Sequence, residues 1–405
     1  MRLYKLGYLP IRIKALPEGT FVPIQVPMFT IENTLPEFYW LPGFLEVILS
    51  DSIWQPITDA TIADHYKRIL SDYAAQTGGN LSLVNNQAGD FSMRGMGSPE
   101  AAYRCGGGHL LSFNVSSTIS VREYLKTYYL ADSQVSLYAP STEHSVMCSY
   151  GRDELAAYKQ LITKVYPSGN VTIVSDSYDF WGVVDNVLPS IKDLVLARHG
   201  KVSIRPDSGD PVKILCGDND AKGESVRKGL VERLYEIFGG EINTKGYKQL
   251  DPHIGAVYGD AITVDRARQI CERLKTKGFA STNVVLGIGS YTYQYNTRDT
   301  LGFALKCTAE VRNGQFKPIF KDPKTDTGNF KKSHKGLVAV VLEDGEYRCI
   351  DELDPQTIQK LADANQLREV YANGEFVNIQ TFADIKQRVS LESDRVYGKK
   401  GEHYE

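Results

Sequence analysis

No stretch of this chain approaches the ~18 consecutive apolar residues that a membrane-spanning helix requires, so a helical membrane protein is excluded on run length alone. The N-terminal MRLYKLGYLPIRIKALPEG alternates as a strand does and shows no signal-peptide core, which sets aside a secretory leader. Charge of one sign is also missing. Lys and Arg number 46 against 49 Asp and Glu, a formal net charge of −3, so no whole-molecule positive field exists to favour nucleic acid or an anionic membrane. Any anionic ligand must then be held by local cations. Cysteine is scarce, six in 405 residues, and no two form a Cys-x-x-Cys pair. Cys105, Cys148, Cys216, Cys271, Cys307 and Cys349 therefore read as reduced, buried thiols of a cytoplasmic protein.

What is present is an ordinary globular composition, 42% hydrophobic and 23% charged, in a chain long enough for two or three domains with a sizeable core. Residues 10–32, PIRIKALPEGTFVPIQVPMFTIE, show short β-branched and aromatic runs broken by Pro and Gly, the pattern of a small antiparallel sheet. An aromatic-rich segment with helical period follows. From about residue 110 the rhythm becomes strand, polar turn, helix. VTIVSDSYD ends a strand near Asp176, KVSIRPDSGD at Asp207, IGAVYGDAI at Asp260 and NVVLGIGS at Gly289. The spacing of Val226, Leu230, Leu234 and Ile237 predicts one helix stopped by Gly239 and Gly240. Ala267, Ile270, Cys271 and Leu274 predict another, capped by Thr263 and stopped at Gly278. Strands alternating with such helices indicate a parallel α/β sheet, open or closed into a barrel, whose ligand sits at the carboxyl ends of the strands.

The polar residues after the strands are thus the candidates. Arg205 and Asp207 flank Pro206, which fixes the local backbone; a guanidinium fork suits phosphate or carboxylate, and an aspartate suits sugar hydroxyls or a hydrated metal ion. The plainer alternative is that the two pair with each other. GIGS, containing Gly289 and Ser290, offers backbone N–H groups to a phosphate or is simply a turn. His144 beside Glu143 has the setting of a base or a nucleophile toward phosphorus, against the commoner structural histidine. Phe91, three residues before Arg94, can stack a planar heterocycle next to a cation, or be a core phenylalanine beside a surface arginine. The lysine-rich run between Lys321 and Lys335 is a solvated loop or an anion-facing lid.

Taken together, IRPDSGDP, EHS, SDSYD, TRD and FKDP, in this order and spacing, resemble the nicotinamide phosphoribosyltransferase family, from about residue 8 to about residue 390. The resemblance implies a type II phosphoribosyltransferase, an α/β barrel over 86–304 with an accompanying α+β domain over 1–85, and a segment 305–405 that packs on the latter. It implies a homodimer that joins nicotinamide to phosphoribosyl pyrophosphate with Mg2+, assisted by ATP through a phosphohistidine. By motif, His144 accepts the phosphoryl group with Glu143 and Asp176 orienting it, and Phe91 stacks on the pyridine. Arg205 and Asp207 then serve the base and ribose side, Asp260 the ribose hydroxyls, and Gly289 with Arg94 the 5′-phosphate, while Arg298 and Lys306 reach phosphates across the dimer. Departure of pyrophosphate leaves an oxocarbenium-like ribose, which is why carboxylates and phosphate-binding cations are needed in place beforehand.

Three departures from the family pattern stand out. The family's amide-reading aspartate aligns with Ser117 of HLLSFNVSSTIS, which opens the alternative of nicotinate as the base. The family also carries residues ahead of the point matching Met1, which raises the further alternative of a non-catalytic or split-enzyme subunit completed by a separate N-terminal chain. In the glycine-rich turn, Ser290 and Tyr291 are bulkier than the glycines of the family and narrow the phosphate pocket.

Overall fold

Pro and Gly between residues 10 and 32 divide the N-terminal region into the antiparallel strands Ile11–Ala15 and Phe29–Asn33, as their alternation predicts. The computed structural model describes residues 2–132, 134–325 and 331–398; part of the lysine-rich run, residues 326–330, lies outside the described residues. The chain forms two compact units. One comprises Asp59–Tyr128 and Asp132–Asn296; the other comprises Met1–Thr58, Tyr129–Ala131 and Thr297–Glu405. The division falls inside the helix Leu41–Thr77, just after Pro56.

In the unit that contains the N-terminus, strands Ile11–Ala15 and Phe29–Asn33 join Arg368–Ala372 and Glu375–Phe376 in a four-stranded sheet. Arg12 fastens three of these strands, donating to Glu32 at 3.0 Å and to Glu369 at 2.8 Å. A hairpin of Leu337–Glu343 and Glu346–Leu353 adds buried Val338, Ala339, Val340 and Val341. The helix Phe382–Tyr397 starts at a reciprocal cap in which Thr381 and Asp384 satisfy each other's backbone N–H.

The second unit is built on six parallel strands in the spatial order Val115–Ser116, Ala88–Asp90, Val284–Ile288, Ile254–Tyr258, Val202–Arg205, Val171–Val174. Parallel strands covered on both faces read as continuous apolar runs, and every residue of Ile254–Tyr258 is buried. The two edges of this curled sheet are joined by residues 137–142. Leu137 bridges to Val115 and Ser141 to Thr172, through Leu137 N–H to Asn114 O (2.7 Å) and Thr172 N–H to Pro140 O (2.8 Å). The sheet thereby closes into a barrel.

The helix Val264–Thr276 follows the expected pattern, with Ala267, Ile270, Cys271 and Leu274 buried and the Thr263 hydroxyl accepting from Arg266 N–H. The segment before it differs from expectation. Val226 and Leu230 do not share a helix, because Glu224–Lys228 and Leu230–Phe238 are separated at Gly229. There the backbone takes φ +81°, and a Cβ would lie 2.2 Å from the Gly217 nitrogen, so two glycines packed backbone to backbone override the apolar period. Cysteine burial also departs from the sequence reading. Cys105, Cys216 and Cys271 are buried, but Cys148 and Cys307 are exposed and Cys349 is half-buried; all are free thiols.

Candidate active site at the strand ends

Because the barrel strands are parallel, every residue that follows one emerges at the same rim. Phe91 and Arg94 follow Ala88–Asp90, Ser117 follows Val115–Ser116, and Glu143 and His144 follow the bridging segment. Asp176 follows Val171–Val174, Asp207 follows Val202–Arg205, Asp260 follows Ile254–Tyr258, and Gly289 with Ser290 follows Val284–Ile288. Arg298 and Lys306 belong to the other unit; both are exposed, and Arg298 pairs with Asp299 at 3.0 Å.

At the centre of the acidic side is Asp176. Its Oδ1 faces His144 Nε2 at 3.1 Å, and its Oδ2 accepts from Asp207 N–H (2.9 Å) and Ser208 Oγ (2.6 Å). Burial pushes the carboxyl upward, but the Ser208, Asp207 and His144 bonds outweigh it and hold it below the usual carboxylate range. A carboxylate only accepts, so Nε2 of His144 carries the proton of this bond, and in the neutral ring Nδ1 is then the nitrogen with the lone pair. Glu143 is exposed at the residue before the short helix His144–Cys148, with no side-chain bond into that helix.

RPDSGDP resolves into successive tasks. Arg205 is buried, donating from Nη1 to Ser141 Oγ (2.8 Å) and from Nη2 to Thr142 O (3.3 Å), so its bonds go to the bridging segment and not to Asp207. Asp207 turns into the rim, where burial raises its carboxyl above the ordinary range, Arg205 and Arg94 pull it down, and Asp176 and Asp260 push it up. These charges share one region. Gly209, at φ +92°, turns the chain and offers its carbonyl to Tyr258 Oη at 2.9 Å. Asp210 then caps the helix Pro211–Cys216, accepting from Val212 and Lys213 N–H, with Pro211 in the first turn where its missing N–H costs nothing.

The aromatic candidate rests on glycines. A Cβ at Gly287 would lie 2.3 Å from Phe91 Cδ2, one at Gly259 3.0 Å from the same atom, and one at Gly89 3.2 Å from Cε1. The half-buried Phe91 ring thus fills space that side chains at positions 89, 259 and 287 would otherwise take. Ser290 abuts the same turn, since a Cβ at Gly95 would meet its Oγ at 2.1 Å. Ser117 is exposed and anchored by its N–H to Asp90 O at 2.9 Å. Ser208, Asp90 and the glycines under Phe91 were not identified from sequence. Only Asp90 carried a signal, as the last residue of a strand directly before the aromatic.

The arrangement presents an aromatic platform, two arginines, three carboxylates and a histidine with one free ring nitrogen. It suits a planar base joined to a phosphorylated sugar. Among the described residues no three His, Cys, Asp or Glu side chains are grouped to hold a metal ion by themselves. No helix among them is long and apolar enough to cross a membrane.

Residues 86–375 match the nicotinate phosphoribosyltransferase (NAPRTase) family. A protein of Acinetobacter baylyi named nicotinamide phosphoribosyltransferase is 44% identical over 396 residues, covering 96% of this chain and 77% of that one. One of the same name from Mycoplasma pneumoniae is 38% identical over 323 residues, covering 78% of this chain and 69% of the other. Among solved structures, nicotinate-nucleotide pyrophosphorylase from Pyrococcus furiosus aligns over 97% of this chain and 83% of its own with a TM-score of 0.60 and 15% identity, a likeness of fold.

Proposed function

The chain belongs to the nicotinate phosphoribosyltransferase (NAPRTase) family, and on that premise we propose that it joins nicotinamide to phosphoribosyl pyrophosphate, releasing nicotinamide mononucleotide and pyrophosphate. The observation that carries this reading is the 44% identity over nearly the whole chain to a protein of that name. The rim's chemistry agrees with it. In this reading Phe91 stacks the pyridine, Arg205 and Asp207 serve the base and ribose side, Asp260 faces the ribose hydroxyls as positive charge develops on the sugar, and Arg94 with the Gly289–Ser290 turn takes the 5′-phosphate. Bond formation runs from the pyridine nitrogen to the ribose anomeric carbon as that carbon's bond to pyrophosphate breaks.

Rim carboxylates would hold Mg2+ together with the pyrophosphate of the substrate, where the ion would offset the charge of that leaving group. ATP fits as the phosphoryl donor. His144 Nδ1 would attack the terminal phosphorus and ADP would leave, while Asp176 holds the resulting positive ring through Nε2–H. Homodimer formation, with Arg298 and Lys306 reaching phosphates of the partner's site, and a cytoplasmic location belong to the same proposal.

Incubation of the purified protein with nicotinamide, phosphoribosyl pyrophosphate and Mg2+, with and without ATP, tests the reaction; formation of mononucleotide is expected, and none under any condition would refute it. Calorimetric titration with nicotinamide mononucleotide should show affinity reduced at least about tenfold in Arg205→Ala, equivalent to about 1.4 kcal/mol. Ser117 favours a second reading, nicotinate as the base, because a neutral serine does not repel a ring carboxylate. Competition between the two bases separates them: strict preference for nicotinamide rejects the second.

A further inference from the structure

Asp90 enters none of the roles above, yet its side chain is fully buried and accepts four hydrogen bonds. Oδ1 takes Ser92 N–H (2.9 Å) and Ser92 Oγ (2.6 Å); Oδ2 takes Ser116 Oγ (2.8 Å) and Thr118 Oγ1 (2.6 Å). Its carbonyl also accepts Ser117 N–H. The Oδ1 bonds lie in the turn that bears Phe91 and Arg94, and the Oδ2 bonds in the loop that bears Ser117. Room for the carboxylate is kept by Gly106 of the helix Pro99–Leu110, where a Cβ would stand 3.1 Å from Oδ2. Behind it, Asp59 is also fully buried; burial pushes its carboxyl well up, a Cys105 bond works against that, and the nearby Asp90 charge adds to it.

We propose that Asp90 is a positioning residue of the base pocket: its buried carboxyl group locks the turn carrying Phe91 to the loop carrying Ser117, so that the stacking surface and the group that reads the base substituent move as one body. The inference rests on the proposed pyridine chemistry for its effect on catalysis; the mechanical coupling of the two loops does not depend on it.

Thr118→Ala isolates the coupling, since it removes one bond to Oδ2 and leaves the Phe91 turn chemically untouched. Hydrogen exchange on the full chain should show residues 91–95 exchanging roughly tenfold faster in this variant, and residues 116–120 faster in Ser92→Ala. In steady-state kinetics both variants and Asp90→Ala should raise KM for the base about tenfold while KM for phosphoribosyl pyrophosphate stays within about twofold. Asp90→Asn keeps an acceptor for Ser92 and offers N–H to two hydroxyls, and should recover most of the loss. If exchange at 91–95 is unchanged in Thr118→Ala, or if only the amount of folded enzyme falls with both KM values intact, Asp90 is a structural acid and the inference fails. If the wild type makes no mononucleotide, the proposed function falls, and the exchange measurement still decides the coupling.

Discussion

A single methyl group at position 287 is enough to dislodge the aromatic platform. Gly287→Ala would bring a Cβ to 2.3 Å from the Phe91 ring and 2.9 Å from Gly259 Cα, and backbone cannot retreat as a side-chain tip can. The ring should swing out, with kcat/KM for the base falling by about tenfold or more and thermal stability lowered by about 1–3 kcal/mol, the usual cost of overpacking. Kinetics together with a melting curve check this; an unchanged KM for the base would mean that Phe91 does not set the pocket. At this scale the sequence revealed the charged residues better than their supports. Arg205, Asp207, Asp176 and Asp260 could be read because a charge just after an apolar strand is conspicuous. Ser208 could not, and the position of Asp90 at a strand end did not reveal its role, because their importance lies in hydrogen-bond partners distant in sequence: Ser208 meets Asp176, and Asp90 meets Ser116 and Thr118. Gly287 and Gly259 look like turn residues in one dimension and serve as a floor in three.

Elements are joined by contacts of the same hidden kind. In the unit with the N-terminus, His334 donates from Nε2 to Gln25 O at 2.8 Å and faces Asp351 Oδ2 with Nδ1 at 3.1 Å, with Cys349 Sγ 3.8 Å from the same nitrogen. The ring is drawn up to a pKa of about 9, chiefly by Cys349, against burial, with the Gln25 carbonyl and Asp351 adding to the rise. A folded value above the unfolded one, ~6.5, means this stabilisation is complete below about pH 6.5 and is lost as pH climbs through about 9. The melting temperature should therefore decline over that window more steeply in the wild type than in His334→Gln; parallel profiles would remove His334 as the cause. Element boundaries were otherwise well marked by the chain. Thr263 begins its helix and Gly239 ends the preceding one as their chemistry requires. The break at Gly229 escaped because the apolar spacing on either side is helical, and only the close approach of Gly217 forbids continuity.

On the scale of the whole molecule, the parallel sheet was legible from alternating strand and helix signals, and the two compact units are what a chain of this length favours. Closure was left open by the strand and helix pattern and came only with the family resemblance, because residues 137–142 form only isolated bridges and lack the β-branched run that announces a strand. That segment is the barrel's seam, and a few backbone bonds hold it where neighbouring strands are paired over their length. Among barrel amides, those of Leu137, Thr142 and Thr172 should exchange fastest, as hydrogen–deuterium mass spectrometry can show; equal protection around the ring would contradict it. Since the seam leads straight into His144 and also receives Arg205, the weakest join in the wall is where the imidazole is hung. Loosening that clasp would release one histidine and one arginine together, because Ser141 and Thr142 hold the arginine and His144 follows two residues later.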